Sequence, residues 1–296
     1  MSTTLLTGRL PAHAGTFYPA DRDELAELVD GLLEGAAARL PRVASSVVRG
    51  VLVPHASLAS SGSVAAAGWA MVGTIQPATL VLLGTDHADL VPGVAVWTDG
   101  PWSGPLGDVA IDHGLADRIA ALGPPFRVDD VAHRGEHSLE VQMPFLSRAC
   151  PEARIVPLLV GNTGPSVAQM AGAWLGRLLA SLRGGGERVV LVVSSDLTLD
   201  GHPRVAREAD RHILRPILAL DAEELDGIGI ELGASGGTGT GIGCAVCGLA
   251  AVSCALVAVD EMGASHGRLL AEAASADRDD VGRHGAASYA AVAFVC

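Results

Sequence analysis

Three strand-like apolar runs in the chain each end in a cluster of polar residues, and this pattern restricts the fold more than any other feature of the sequence. The runs span residues 50–54, 80–84 and 189–193. The polar residues that follow them are His55, then Asp86 and His87, then Ser194, Ser195 and Asp196. Short apolar runs separated by helix-like segments are typical of strands buried in an α/β sheet. Ligands bind beyond the carboxyl ends of such strands, so we expect these polar residues to converge.

The order of helix-like and strand-like segments predicts a mixed β-sheet flanked by helices. Helical spacing of apolar residues occurs in segments 21–37, 64–72, 167–182, 202–220 and 247–262, and further strands are expected at 94–97, 155–160 and 288–295. Pro157 suggests that its strand is an edge strand or carries a bulge. The Gly-rich and Pro-rich segments 100–107 and 233–243 are expected to be loops. No composition break or internal repeat divides the chain, which predicts a single α/β domain over residues 1–296.

Composition and charge exclude several classes of partner. The formal net charge is −13, and nucleic acids and anionic membranes are bound by basic surfaces, so neither is expected as a partner. Neither a secretory leader nor an uninterrupted apolar stretch of membrane-spanning length is recognisable, which predicts a cytoplasmic protein. Aromatic residues make up only 3% of the chain, so the core is expected to consist of Ala, Val and Leu.

The five cysteines do not form a pattern typical of a disulfide framework, because their number is odd and no secretion signal accompanies them. Cys150, Cys254 and Cys296 lie in apolar surroundings and are expected to be small buried hydrophobic residues. Cys244 and Cys247 form a C-x-x-C pair after the Gly-rich segment. They are either two buried thiols at the start of a helix, or Cys247 is a thiolate ligand favoured by the helix dipole.

His55 and His87 follow two strands of the same predicted sheet, which makes them candidates for a metal or acid/base centre. Neutral imidazole is the commonest protein ligand for divalent transition metals. Asp196 ends a strand in a position that packing does not explain, and it is the candidate carboxylate of the same site. The polar segment 136–138, which includes His137, has a simpler interpretation as the start of a surface helix. The Gly-rich segment 233–243 lacks the lysine and the preceding strand of a phosphate-binding loop.

Motifs spread over nearly the whole chain resemble those of the Memo family, whose members share the fold of the class III extradiol dioxygenases. The matching segments are 14–19, 54–56, 61–62, 83–87, 105–107, 136–140, 144–145, 156–161, 193–196, 247–248 and 288–291. The order and spacing of these segments are specific to the family, although no single segment is. The resemblance implies one iron(II) or copper ion per chain, bound by His55, His87 and Cys247, with Cys244 as an additional thiol beside the site.

Four positions depart from the family pattern, the first of which is Ser57, where the family has glycine. Ala88 stands where the family has a second histidine, and Leu58 stands where it has an aromatic residue. Leu199 replaces the histidine that the related dioxygenases use as an acid/base. Either His137 or His202 takes that role here, with Asp196 as a further catalytic candidate, or proton transfer differs, or the reaction has changed.

The resulting hypothesis is a metal-dependent redox enzyme that uses O₂ on a small organic substrate. A non-catalytic metal-binding or scaffold protein that docks partner proteins and a metal-assisted hydrolase are the alternatives. The expected partner is a small-molecule substrate, and association into a homo-oligomer is left open by the sequence.

Overall fold

A computed structural model describes residues 8–201, 203–235, 246–274 and 286–296 of the chain. His202 and Cys244 lie outside the described residues, as does most of the Gly-rich segment 233–243. The helices are α1 (Arg22–Ala37), α2 (Leu58–Ile75), α3 (His113–Ala120), α4 (Asp130–His133), α5 (Met143–Ala149), α6 (Pro165–Gly184), α7 (Pro203–Ala219), α8 (Ala222–Ser235) and α9 (Leu249–Glu261). The strands are β1 (Val48–Val53), β2 (Thr79–Thr85), β3 (Val94–Val96), β4 (Trp102–Gly104), β5 (Gly107–Val109), β6 (Phe126–Val128), β7 (Arg154–Val160), β8 (Val189–Ser194), β9 (Leu199–Gly201), β10 (His266–Ala274) and β11 (Ala286–Val295).

The architecture is a mixed α/β sandwich, as the sequence predicts. The large sheet has the order β10-β11-β1-β8-β2-β7-β3-β6, with β9 paired to β11. Strands β1, β8, β2 and β7 are parallel to one another, whereas β11 joins β1 and β3 joins β7 in antiparallel fashion. The parallel centre of the sheet therefore brings the carboxyl ends of β1, β2 and β8 to the same edge.

Alternate residues of the central strands pack into two hydrophobic layers. In β2, Val81 and Leu83 face the layer that contains α6 and α9, whereas Leu80 and Leu82 face the layer that contains α1, α2 and α5. Strands buried on both faces need apolar residues at every position, which is why these runs are continuous rather than alternating. The helices on both faces hold the polar ends of the strands in fixed positions.

Helix α2 is the one helix among the described residues that is long and apolar enough to cross a membrane by length and composition. Within this structure, however, 61% of it is buried, against α1, α5 and the sheet. Its apolar character is therefore explained by its position in the core.

The expectation that Pro157 marks an edge strand or a bulge is wrong, because β7 lies inside the sheet between β2 and β3 without interrupted register. The carbonyl of Pro157 accepts a hydrogen bond from the Trp97 N–H. The pairing of β3 with β7 ends at Val96 and Leu158, one residue before Pro157 would have to donate an N–H to β3. The predicted loop 100–107 also differs, since it contains β4 and the beginning of β5.

Close contact between α6 and α9 depends on a residue without a side chain at Gly172. A Cβ atom added there would lie 2.3 Å from the carbonyl oxygen of Cys254. We therefore expect Gly172→Ala to lower the free energy of unfolding by about 1–3 kcal/mol through overpacking, despite the better helix propensity of alanine. Gly31→Ala in α1 is the matched control, because no atom lies within 4 Å of the added Cβ. It should raise the stability by about 0.5–1 kcal/mol. Urea denaturation of both variants measures the difference, and equal effects of the two substitutions would contradict this account of the packing.

Candidate metal centre

The carboxyl edge of the sheet brings the predicted histidines and Cys247 together. The Cys247 Sγ atom lies 3.0 Å from His87 Nε2 and 3.4 Å from His55 Nε2. The rings of the two histidines are 5.2 Å apart and nearly perpendicular. A nitrogen and a sulfur bound to the same tetrahedral ion at usual bond lengths are about 3.6 Å apart. The two Nε2–Sγ distances are thus shorter than this spacing, by about 0.2 Å for His55 and about 0.6 Å for His87.

His137 belongs to the same cluster. One donor atom from each of His55, His87 and His137 lies within 4.8 Å of the others, so these histidines could hold a metal ion. The His137 ring stacks on that of His87 at 4.4 Å between centroids and with 22° between the planes. The interpretation of segment 136–138 as the start of a surface helix does not describe this position, because the segment lines the centre.

A buried hydrogen-bond chain fixes which nitrogen of His55 carries the proton. Trp69 Nε1–H donates to Gln142 Oε1, so the amide nitrogen of Gln142 is the atom that donates to Ser194 Oγ at 2.9 Å. The Ser194 hydroxyl donates in turn to the Ser138 carbonyl at 2.6 Å. Because its only proton is used there, Ser194 can only accept from His55 Nδ1, 3.2 Å away. This network assigns the proton to Nδ1 and leaves the Nε2 lone pair directed at the centre.

Glu136 does the same for His87. Its Oε1 atom lies 2.8 Å from His87 Nδ1, and it also accepts the backbone N–H of Ser138 at 2.7 Å. Burial alone would raise the pKa of Glu136, but the hydrogen bond and charge of His87 and these backbone donors lower it to about 2. The ionised carboxylate can only accept, so Nδ1 of His87 carries a proton and Nε2 is the ring nitrogen that faces Cys247, at 3.0 Å from Sγ. Histidines that bind metals frequently donate their other ring N–H to a carboxylate in this way.

Burial keeps the other imidazoles neutral. Burial first, and then the charge of His87, lower the pKa of His55 to about 3. Burial, His55 and His87 likewise lower the pKa of His137 to about 4. Both rings are therefore deprotonated at neutral pH, which is the form that metal binding requires.

Cys247 is positioned by the residues that follow β8. Its N–H donates to the Asp196 carbonyl at 3.1 Å, and its carbonyl accepts from the Ser195 hydroxyl at 2.6 Å. The next residue, Gly248, has φ +88° and precedes the first residue of α9. A Cβ atom there would lie 1.7 Å from Thr85 Oγ1, so glycine is required both by the backbone conformation and by the contact with β2.

Asp196, a catalytic candidate from the sequence, lies beneath the centre and is 3% exposed. Its Oδ1 accepts the backbone N–H groups of His55 at 2.8 Å and of Ala56 at 3.3 Å. Burial raises the pKa of Asp196 to about 6, although these backbone donors oppose the shift. In this arrangement the carboxylate orients the segment that carries His55. His202, the remaining catalytic candidate, lies outside the described residues.

An N-terminal segment forms one rim of the site. The buried Glu140 carboxylate accepts the N–H of His13 at 2.8 Å and the Tyr18 hydroxyl at 2.6 Å, and it pairs with Arg9 at 2.7 Å. This anchor places the Phe17 ring 4.5 Å from that of His137. The motif at residues 14–19 gave no sequence indication of this role. The orienting groups Glu136 and Gln142 were missed as well, and the only signal was the position of Glu136 directly before a histidine.

The fold and the site define a mixed α/β protein with a histidine-rich cluster that could hold a metal ion. A profile of the Memo-like protein family matches residues 9–293, and the chain belongs to this family. A MEMO1 family protein of Caldivirga maquilingensis is 32% identical over 91% of this chain and 93% of its own length. A MEMO1 family protein of Methanopyrus kandleri is 34% identical over the same shares of the two chains.

Two further similarities are more limited in extent or closeness. A MEMO1 family protein of Aquifex aeolicus is 36% identical over 73% of this chain and 77% of its own length. The crystal structure of an uncharacterized protein from Escherichia coli K12 aligns with a TM-score of 0.48 and 15% identity, over 83% of this chain and 99% of that one. This last similarity is too distant to bear on function.

Replacing the carboxylate that orients His87 is expected to weaken metal binding. In Glu136→Gln the neutral amide no longer requires a proton on His87 Nδ1, so the affinity for a transition metal should fall about 10–100-fold. Competition with a chromophoric chelator measures the affinity, and Glu27→Gln, an exposed position in α1, is the control. Unchanged affinity in Glu136→Gln would contradict the proposed role of this carboxylate.

Proposed function

We propose that the chain is a metal-dependent redox enzyme in which His55, His87 and Cys247 bind one iron(II) or copper ion and O₂ reacts with a small organic substrate. The observation that supports this proposal best is the contact of the Cys247 sulfur with both histidine Nε2 atoms, at 3.0 and 3.4 Å. Two neutral imidazoles and one thiolate form a soft donor set that favours iron or copper over magnesium or calcium. When bound, such an ion would supply the redox chemistry and the activation of O₂.

His137 is the best-placed group for moving a proton beside this centre. Its pKa of about 4 keeps the ring neutral at pH 7, so it can accept a proton from a bound substrate. Its Nδ1 lies 3.3 Å from Glu136 Oε1, and this carboxylate would stabilise the imidazolium that results. His137 would thereby take over the function of the histidine that Leu199 replaces. His202 is the other candidate for this role.

The position of Leu199 also favours a second candidate function. A protein that lost the acid/base histidine but retained the ligands would bind metal without turnover, as a metal-binding or scaffold protein that docks partner proteins. The two proposals share the metal centre and differ only in the chemistry that follows from it.

Replacing the thiol of Cys247 with a hydroxyl tests whether Cys247 binds the metal together with the histidines. We expect protein purified without air to contain iron or copper at near one ion per chain. Cys247→Ser should weaken Cu(I) binding by at least about tenfold, because a hydroxyl is a harder and more weakly basic donor than a thiolate. Cys296→Ser is the control, because Cys296 is exposed and the expectation that it is buried is wrong, whereas Cys150 and Cys254 are buried as predicted. Elemental analysis and competition with a Cu(I) chelator measure the effect.

Two outcomes would overturn this ligand set. If Cys247→Ser retains the affinity of the unchanged protein while His137→Gln loses it, the third ligand is His137. If neither Fe(II) nor Cu(I) binds near one ion per chain after anaerobic reconstitution, the proposed centre does not exist.

Oxygen consumption distinguishes the two functions. With Fe(II)-loaded protein and a catechol or an aminophenol, we expect O₂ uptake above that of free Fe(II). His137→Gln should lower the uptake by at least about 100-fold at unchanged metal content, as expected for loss of a general base. An oxygen electrode and parallel iron analysis measure both quantities. Uptake equal to that of free metal with every substrate would support the non-catalytic function, and substrate conversion without O₂ would support a metal-assisted hydrolase.

A further inference from the structure

A cavity lies at the amino edge of the sheet, opposite the edge that carries the histidine cluster. It has a volume of about 510 Å³ and is lined by Arg49 at the start of β1, by Arg183 in the last turn of α6, and by Arg188 directly before β8. Binding cavities for small molecules have volumes of about 300–1,000 Å³. Strands of six residues rise about 3.3 Å per residue, so this cavity is about 20 Å from the histidine cluster.

We propose that this cavity binds a small phosphate-bearing anion through Arg49, Arg183 and Arg188. The proposal is independent of the metal centre, because no residue is shared between the two places.

The guanidinium groups of Arg49 and Arg183 are held in place by the backbone. Arg49 Nε donates to the Met262 carbonyl at 2.9 Å, and its Nη1 donates to the Ser46 carbonyl at 2.8 Å. Arg183 Nη1 donates to the Val189 carbonyl at 2.7 Å. A guanidinium has five N–H groups in a fixed plane, so each arginine keeps donors that these carbonyls do not use. An arginine fixed in this way loses little entropy when it binds a phosphate or carboxylate through two hydrogen bonds.

The positive charges in the cavity lack close carboxylate partners. Among the described residues, no carboxylate oxygen lies within 4.0 Å of Arg49, Arg183 or Arg188. Burial first, and then the charge of Arg49, lower the pKa of Arg183, while a negative charge at Cys296 opposes the shift. The charge at Cys296 offsets part of the repulsion between these two half-buried cations, and an anion bound between them would stabilise both further. In a chain with a net charge of −13, such a cluster is unlike the rest of the protein.

The ends of α2, α6 and α9 also meet this cavity, at Ile75, Gly184 and Met262. The partial negative charge of helix carboxyl ends accounts for one contact of Arg49, with the Met262 carbonyl. It does not account for Arg188, which is exposed beside Glu187 at the rim. The proposed anion is the group that would use all three arginines at once.

Titration calorimetry with inorganic pyrophosphate tests the proposal on the full chain. The protein is first freed of metal with a chelator, so that phosphate cannot bind at the histidine cluster, and ionic strength is held constant. We expect saturable binding with one site per chain. Arg183→Gln should weaken it at least about tenfold, the loss expected for one charge-assisted hydrogen-bonded pair. Arg118→Gln, an exposed arginine in α3, is the control and should bind as the unchanged protein does.

Two variants at exposed positions of the cavity test the proposal even if Arg183→Gln does not fold. Arg188→Gln should weaken pyrophosphate binding several-fold, and Glu187→Gln should strengthen it because it removes a repelling charge. Neither substitution interrupts a side-chain contact made by the described residues. Opposite effects of the two are expected only if an anion binds here.

A parallel titration with ADP identifies the source of the phosphate. Tighter binding of ADP than of pyrophosphate would assign the cavity to an organic phosphate, and equal or weaker binding would assign it to an inorganic one. Absence of saturation with both, or equal affinity in all variants, would overturn the proposal and leave Arg49 and Arg183 as structural residues that bind backbone carbonyls.

Discussion

The buried hydrogen-bond chain from Trp69 through Gln142 and Ser194 to His55 is the interaction on which the candidate centre depends. Each group in it has one orientation, because the indole N–H can only donate and the Ser138 carbonyl can only accept. A neutral histidine has two tautomers of similar energy, and only one of them offers a lone pair at Nε2. The core of the protein thus selects the form of His55 that can bind a metal, before any ion is present.

Hydrogen bonds from the protein side orient the other residues of the site as well. Glu136 fixes His87, Asp196 fixes the backbone of His55, and Ser195 fixes the backbone of Cys247. Arg9 joins this outer layer, since it donates to the Glu136 carbonyl at 2.6 Å and pairs with Glu140. Burying these charges is costly unless every donor and acceptor is satisfied, and here the carboxylates accept from several partners. The arrangement fixes the orientation of His55, His87 and Cys247, as a metal site that selects by geometry would require.

The sequence predicted the edge of the sheet at which the site lies, because continuous apolar strands followed by His55 and His87 can only place these residues on the carboxyl side. It also indicated Cys247, as one of two alternatives from its place at the start of a helix and as the third ligand through the resemblance. Glu136 and Gln142 could not be predicted, because a buried polar residue outside a strand looks like a surface residue in one sequence. The prediction of an edge strand or bulge at Pro157 was wrong for a related reason. The effect of this proline depends on whether a neighbouring strand extends past it, and β3 ends one residue too early to need its N–H.

The sites proposed at the two edges of the sheet would bind ions of opposite charge, and the overall charge of the chain favours only one of them. A net charge of −13 attracts cations in general and would favour the supply of metal to the histidine cluster. It repels anions, so the proposed anion at the opposite edge would depend on the nearby arginines. Screening makes this feasible, since charges farther away than about 8 Å contribute little at physiological ionic strength. Arg49 and Arg183 are held beside the cavity by backbone carbonyls, so their positive charges would lie next to a bound anion. Parallel strands between helix layers allow this separation, because the residues at the two ends of each strand are independent of one another.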